Sequence, residues 1–496
     1  YETLNMAAKW GLPLLVVLEN NLYAQSTSQS ETLAGDICAR AAAFGIATLH
    51  GDTWRHEELA ALLRAAAAAV RRESKPVFVR VDTYRLAAHS KGDDDRDVRE
   101  IDGYKSRDPL NQFLANGACD QLELAAIRER VERAIERAST APVLDLAARA
   151  KARGSAALSW RQPSPQAGTQ LAAINRALAG WLAEDERVLL LGEDVRSPYG
   201  GAFKATRGLS DDHPTRVLNT PISEAGIVGI ANGLALGGRR PIVEIMFGDF
   251  LALCFDQLLN HAAKFRDMYN GRVSSAIVVR TPMGGGRGYG PTHSQNLEKH
   301  VVGVPGLRVL VLHGRAPIAS LYAALRGSEE PTLIIENKLL YRERADAALP
   351  PGYELAETAE PYPTTALRPK GAADVTVVAF GRMSLLAEQV AAELVGEEVE
   401  LDLLLPLSVS PFDARPLHES IARTGKLVVV EEGTAHFDLA SEVVARAVEG
   451  YRGTRCLRVR RVAAQPRPIP SALELELGVL PSVASLREAC LELYDE

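Results

Sequence analysis

Residues 12–18 form a short, continuous apolar run, and residues 76–81 form another. Between them, residues 57–72 follow the 3.6-residue period of an amphipathic helix, with acids at the start and Arg71 and Arg72 at the end, as the helix dipole favours. Strand, helix, strand predicts a parallel sheet covered on both faces. Residues 90–108 are dense in charge and read as a surface loop, and a helix is expected over 120–138. Helical patterning resumes at 169–183. It is followed by strands at 188–191, 241–245 and 276–280, with helices over 223–236 and 251–265 between them. This predicts a second doubly wound unit. A third block begins near Asp374, with strands at 375–380, 400–404 and 426–430 and a helix at 439–448. Residues 154–168 have small residues, prolines and no apolar period, and read as a linker; 346–370 reads as a second connector.

Bulk numbers narrow the function classes. A chain of 496 residues is too long for one core. The net charge of −7 and the lack of a long basic run argue against nucleic acid or an anionic membrane as the main partner. No apolar run approaches the ~20 residues of a membrane span. Five scattered cysteines, never spaced as CxxC, fit buried small hydrophobes in a reducing, cytoplasmic setting without structural zinc. Residue 1 is Tyr, so the chain is expected to be clipped at its start.

Standard short motifs fail. HEELA at His56 lacks the second histidine of a zinc helix, GGGRGYG matches neither a dinucleotide loop nor a P-loop, and GDDD at Gly92 is not a calcium loop. Four other stretches are candidates. ENNLYA places Asn21 at the C-terminal end of a strand, where open sheets bind ligands, and its amide suits a hard cation. By its own residues, however, a plain turn explains it better. TPISEAGIVGIANGLALGG reads as a helix entry with Glu224 in the first turn and a set of small residues that admit a close neighbour or cofactor. The plain alternative is an acid complementing the helix dipole. TPMGGGRGYGPTHSQ follows a strand and ends at His293, a candidate acid or base or else part of a flexible loop. TYRLAAHSKGDD brings His89 after another strand, and either histidine alone reads as structural or merely exposed.

Taken together and in order, these stretches resemble the thiamine-diphosphate-dependent decarboxylase component of 2-oxo acid dehydrogenase complexes. YETLNMAAKWGLPLLVVLENNLYAQST and TYRLAAHSKGDD are similar to its alpha subunit from mid-domain onward. LLLGEDV, TPISEAGIVGIANGLALGG, FGDFLALCFDQLLNHAAKFR and THSQ are similar to its beta subunit, and DVTVVAFGRMS and KLVVVEEG to its C-terminal domain. The resemblance implies an α/β thiamine-diphosphate-binding fold: two doubly wound parallel-sheet domains plus a transketolase-type C-terminal domain. The expected division is 1–153 (alpha-type, truncated on its N-terminal side), the linker 154–168, 169–345 (beta-type, pyrimidine-binding) and 346–496.

It also implies site residues. Asn21 matches a magnesium ligand and Tyr23 a residue giving its main-chain carbonyl to the same ion. Glu224 matches the glutamate on the cofactor's aminopyrimidine and Phe250 an aromatic beside that ring. His293 and His89 match the active-site histidines of the beta and alpha parts. The implied reaction is oxidative decarboxylation of a 2-oxo acid with reductive acylation of a lipoyl group on a partner acyltransferase. The cofactors are thiamine diphosphate, which is itself the electron sink, and Mg2+. The alternatives are transfer to a non-lipoyl acceptor, as in transketolase, or a non-catalytic scaffold. A homodimer of fused chains would mimic a two-alpha, two-beta assembly. The family's Gly-Asp-Gly element is absent and is expected before Tyr1. Ser90 matches a regulatory phosphorylation position, but an unmodified loop serine is the preferred reading.

Overall fold

The computed structural model describes all residues except 91, 93, 118–119, 144–156, 165, 455 and 496. It divides into two compact units, 1–155 and 156–496. The boundary at 153 and the start of the expected linker lie outside the described residues.

The first unit is built on three parallel strands, β1 (Leu15–Asn20), β2 (Ala47–Asp52) and β3 (Val77–Asp82), in the order β1-β3-β2. Strand β2 was not expected, because its sequence ATLHGD is too polar to read as an apolar run; only pairing with β3 makes it a strand. Helix His56–Glu73 covers one face through Ala66 and Val70 against Val77, Val79 and Val81. Helix Ile37–Ala42 covers the other, against Phe78. In register, Asn20, Asp52 and Asp82 sit at one level at the C-terminal end of the sheet.

The charged stretch 90–108 is not all loop: Val98–Lys105 is a helix, capped by the Asp97 side chain on the Arg99 N–H. It docks because Tyr104 stacks on Tyr84 at 3.8 Å and Glu100 accepts a hydrogen bond from the Tyr23 hydroxyl at 2.8 Å.

The second unit holds two seven-stranded sheets. Its strands in chain order are β4 (Trp160–Arg161), β5 (Val188–Gly192), β6 (Val217–Asn219), β7 (Arg240–Glu244), β8 (Val278–Met283), β9 (Arg308–Val311), β10 (Thr332–Asn337), β11 (Tyr353–Thr358), β12 (Thr364–Pro369), β13 (Val375–Ala379), β14 (Leu401–Pro406), β15 (Ser408–Ser410), β16 (Lys426–Thr434) and β17 (Arg458–Ala464). One sheet runs β15-β9-β10-β8-β7-β5-β6 and the other β17-β16-β13-β14-β12-β11-β4. The sheets exchange strands: β15, from late in the chain, closes the first sheet antiparallel to β9, and β4 closes the second against β11. Two sequence expectations change accordingly. The stretch read as a linker contains β4, and the one read as a connector contains β11 and β12.

Helix Gln170–Glu184 starts where the Thr169 hydroxyl accepts the Ala172 N–H. It buries Ile174, Leu178, Trp181 and Leu182 on one stripe, at ~1.5–3 kcal/mol for each side chain. The helix expected over 251–265 is irregular. It breaks into a 3-10 segment Gly248–Cys254, a π-helical segment Gln257–Ala262 and a short α-helix Phe265–Met268. The Asn232 amide donates to the Gln257 carbonyl at 2.9 Å where the π segment begins, diverting it from a regular helix.

Candidate active site

In the second unit, parallel β5 and β6 pair with Gly192 opposite Asn219, so both chains leave the sheet at the same end. Glu193 follows β5 directly. Glu224 opens helix Glu224–Leu236, shortly after β6 ends. Both carboxyls are buried, 7% and 6% exposed. Burial first, and the Glu224 charge second, push Glu193 up to about 7, while the Ser223 main-chain N–H works the other way. Glu193 Oε1 has no hydrogen-bond partner among the described residues. Buried beside the Glu224 charge and with one oxygen unsatisfied, Glu193 can hold a proton near neutral pH.

A second cluster stands at the ends of β7 and β8. Beyond β7, Phe247 and Phe250 flank the His293 ring edge-on, at 4.8 and 5.4 Å between centroids. Phe203 packs on Phe247 at 5.7 Å and on Tyr341 at 5.5 Å. His293 Nδ1 lies 3.0 Å from the Thr292 hydroxyl. The two clusters share an element: Phe250 lies in the segment that runs to Cys254, whose thiol is pushed up by burial and by the Glu224 charge.

The glycine-rich loop carrying His293 is no flexible surface loop. The Gly285 N–H donates to Glu432 and the Gly288 N–H to Glu476, at 2.5 and 2.6 Å. Gly284 has φ +95, and a Cβ there would strike the Asn337 amide; Gly290 has φ +79, and a Cβ there would sit 2.6 Å from Ser471 Oγ. The glycines therefore let the loop lie flat on the C-terminal part of the chain. The glycines of helix Glu224–Leu236 are another matter. A Cβ at Gly229 would meet only Gln257, at 3.8 Å, and one at Gly233 would meet nothing within 4 Å. Neither of these two positions has a neighbour within its own unit close enough to require glycine.

In the first unit, Asn20 is locked, donating to Asp82 at 2.9 Å and accepting from Gln29 at 2.7 Å. Burial raises Asp82, but hydrogen bonds from Asn20, Arg80 and His50 outweigh it and hold the carboxyl below its ordinary value. Asn21 caps its own turn, its Oδ1 accepting the Tyr23 N–H at 3.1 Å, with Leu22 in the left-handed region at φ 68. Tyr23 is pushed up to about 12, chiefly by its hydrogen bond to Glu100. Its ring meets Tyr84 edge-on, and the buried Arg96 guanidinium lies over both rings. His89 is exposed, outside any helix or strand.

The structure thus brings together His293 and Phe250, and separately Asn21 and Tyr23. Glu193 and the buried Lys338, whose Nζ donates to the His293 carbonyl, were missed. GEDV was legible as a motif, but nothing in it singles out Glu193; Lys338 had no sequence signal.

Residues 1–147 match the dehydrogenase E1 component family, 169–344 the transketolase pyrimidine-binding domain, and 365–485 the transketolase C-terminal domain. The beta subunit of acetoin:2,6-dichlorophenolindophenol oxidoreductase from Bacillus subtilis (strain 168) is 33% identical over 336 residues, covering 65% of this chain and 96% of that subunit. The chain belongs to the thiamine-diphosphate-dependent 2-oxo acid dehydrogenase E1 family. As an E1 chain it is a decarboxylase component that joins alpha-type and beta-type parts. The mitochondrial 2-oxoisovalerate dehydrogenase subunit beta of Chaetomium thermophilum is 37% identical over 332 residues, 65% of this chain and 68% of the relative. The mitochondrial pyruvate dehydrogenase E1 component subunit beta-1 of Arabidopsis thaliana is 33% identical over 321 residues, 64% of this chain and 86% of the relative. Among solved structures, transketolase from Campylobacter jejuni has a TM-score of 0.63 at 14% identity, covering 99% of this chain and 74% of that one. That likeness shows the fold alone. No described helix is long and apolar enough to cross a membrane.

The site's fit to the E1 cofactors differs between the units. A buried carboxyl pair with one Glu193 oxygen unsatisfied, and an aromatic wall on the adjoining segment, fit an aminopyrimidine. For a divalent cation, the first unit offers Asn21 Oδ1, already holding one N–H, and the Tyr23 carbonyl. These are the right kind of oxygen but too few, and the described residues contain no group of three or more His, Cys, Asp or Glu able to hold a metal.

Proposed function

We propose that this E1 chain decarboxylates a 2-oxo acid and acylates the lipoyl group of a partner acyltransferase, with Glu224, His293 and His89 acting in the reaction. The observation that carries this reading is the buried Glu193–Glu224 corner, joined through the Phe250 segment to the His293 wall. When bound, thiamine diphosphate supplies the electron sink for loss of carbon dioxide. Glu224 would hydrogen-bond the aminopyrimidine and supply the carboxylate that takes or returns a proton there. Glu193, pushed up to about 7 beside it, would hold a proton near neutral pH. Phe250 would pack on that ring. With the Thr292 hydroxyl donating to Nδ1, His293 presents an Nε2–H to the substrate carboxylate or the incoming acyl acceptor. Phe247 and Phe250 exclude water around it.

Asn21 and the Tyr23 carbonyl would offer Mg2+ two oxygens, short of a complete ligand set by themselves. Residues 1–153 serve as the alpha-type domain, 169–345 as the beta-type domain and 346–496 as the C-terminal domain, and two fused chains pair as a homodimer. Free Cys38, Cys254, Cys456 and Cys490 fit a reducing cytoplasm.

The test is an assay of the purified protein with thiamine diphosphate and Mg2+, offering pyruvate or branched-chain 2-oxo acids with a lipoyl domain, an aldehyde or a dye as acceptor. Lipoyl acylation is expected, and Glu224→Gln should lower kcat about 100-fold or more. Activity with aldehydes alone would make the chain a transketolase-type transferase. Loss of cofactor binding altogether would make it a scaffold.

A further inference from the structure

Lys338 follows β10 directly, and β10 pairs with β8 so that Asn337 lies opposite Met283. The lysine therefore leaves the sheet beside the start of the glycine-rich loop. Its side chain is fully buried. It forms no ion pair within 4 Å among the described residues, a costly arrangement for an ammonium that only fills space. Its Nζ instead donates to the main-chain carbonyl of His293. The same Nζ lies 5.3 Å from the Phe247 centroid and 5.5 Å from that of Tyr289, within cation–π range. Phe247 is also the ring against which His293 stands at 4.8 Å. One ammonium thus holds both the backbone of the histidine and its aromatic wall.

We propose that Lys338 is a positioning residue for the decarboxylation and acyl-transfer chemistry, fixing His293 against Phe247; this rests on the role of His293 proposed above. The other ties of the loop fall elsewhere: Gln295 donates to Asp249 at 2.8 Å, and the Gly285 and Gly288 N–H groups reach Glu432 and Glu476. Residue 293's own local hydrogen bonds, to Thr292 and Gly290, stay within the loop, and Lys338 ties it to β10. The charged and titratable groups facing it are Asp249 from the 3-10 segment, Glu432 from β16, Glu476 from helix Leu473–Val479, and Arg287, Tyr289 and His293 from the loop. Burial lowers the lysine to about 8, with Arg287 adding to the fall, while Asp249, Glu432 and Glu476 oppose it. The grip is charge-assisted at neutral pH and weakens on the alkaline side.

The test compares Lys338→Met, Lys338→Arg, His293→Ala and the Lys338→Met/His293→Ala double variant. Each full chain is loaded with thiamine diphosphate and Mg2+, and 2-oxo-acid-dependent dye reduction is followed from pH 6 to 9.5. Lys338→Met should lower kcat about 10- to 100-fold, the scale of an ångström-size misplacement. In the His293→Ala background the same change should cost almost nothing, because both act through one group. Lys338→Arg, charged throughout, should retain activity and move the alkaline limb of kcat upward. Additive losses, or a Lys338→Met chain with wild-type kcat and pH profile, would overturn the proposal. If Lys338→Met does not fold, an alkaline limb unmoved in Lys338→Arg overturns it instead. A wild-type chain inactive with every 2-oxo acid, or a His293→Ala chain of wild-type kcat, would instead refute the functional reading beneath it.

Discussion

Several glutamates of the second unit are buried without a cation in contact, and each is held closer to neutrality than an ordinary carboxyl. Burial pushes Glu298 up to about 8 and Glu431 up to about 7, as it does Glu193. The folded state therefore binds protons that the unfolded chain, titrating near 4.5, has already released. Stability contributed by these groups is greatest at acid pH and declines as pH rises from about 4.5 toward each folded value. The melting temperature of the cofactor-free protein should accordingly fall between pH 5.5 and 8.5. Glu298→Gln, which removes the carboxyl raised furthest of the three, should flatten that fall. It should also stabilise the alkaline protein by a few kcal/mol, since each tenfold change in proton affinity is worth ~1.4 kcal/mol. Scanning calorimetry at four or five pH values suffices, and a wild-type profile rising with pH would contradict this account.

Among the elements, helix Glu224–Leu236 and the loop 284–295 use glycine in opposite ways. Gly233 has helical backbone, an exposed position and open space where a Cβ would go. Gly233→Ala should therefore stabilise the chain by ~0.5–1 kcal/mol through helix propensity and lost unfolded-state freedom. Gly284→Ala should destabilise it by more than that, since the left-handed backbone and the Asn337 contact both resist a side chain. Chemical denaturation of both variants separates the cases. A Gly233→Ala chain that keeps its stability but loses cofactor affinity would show that the exposed glycine face is covered in the working enzyme. The sequence marks both elements as glycine-rich but treats their glycines alike, because spacing alone cannot tell a helix face from a left-handed turn.

At the scale of the whole molecule, exchanged strands β15 and β4 make one compact body of what the chain order after residue 156 presents as successive blocks. Further ties cross between its sheets. Lys299 reaches the Thr434 hydroxyl at 2.8 Å, Asn337 donates to Glu432 at 3.0 Å, and Arg315 pairs with Glu388. Ligand binding to the folded state should then be read by the body as a unit. Thiamine diphosphate with Mg2+ at ~100 times Kd should add about 2.7 kcal/mol of stability. Chelating the metal should return the melting temperature to that of the cofactor-free protein. A melting temperature indifferent to both additions would rule out a competent site in this chain.

The sequence by itself determined the local features: the apolar runs that became β1, β3, β5 and β7, the turn at Asn21 and the helix entry that places Glu224. Each depends on neighbours within a few residues, and backbone sterics and side-chain period act at that range. Motif order along the chain was enough for the family. Tertiary structure alone decided that Glu193 stands with Glu224, that Lys338 holds residue 293 from 45 positions away, and that a polar stretch, ATLHGD, is a strand. Those outcomes follow from strand order and register, which set residues distant in the chain at one sheet end, and hydrophobic periodicity carries no record of which strands will be neighbours.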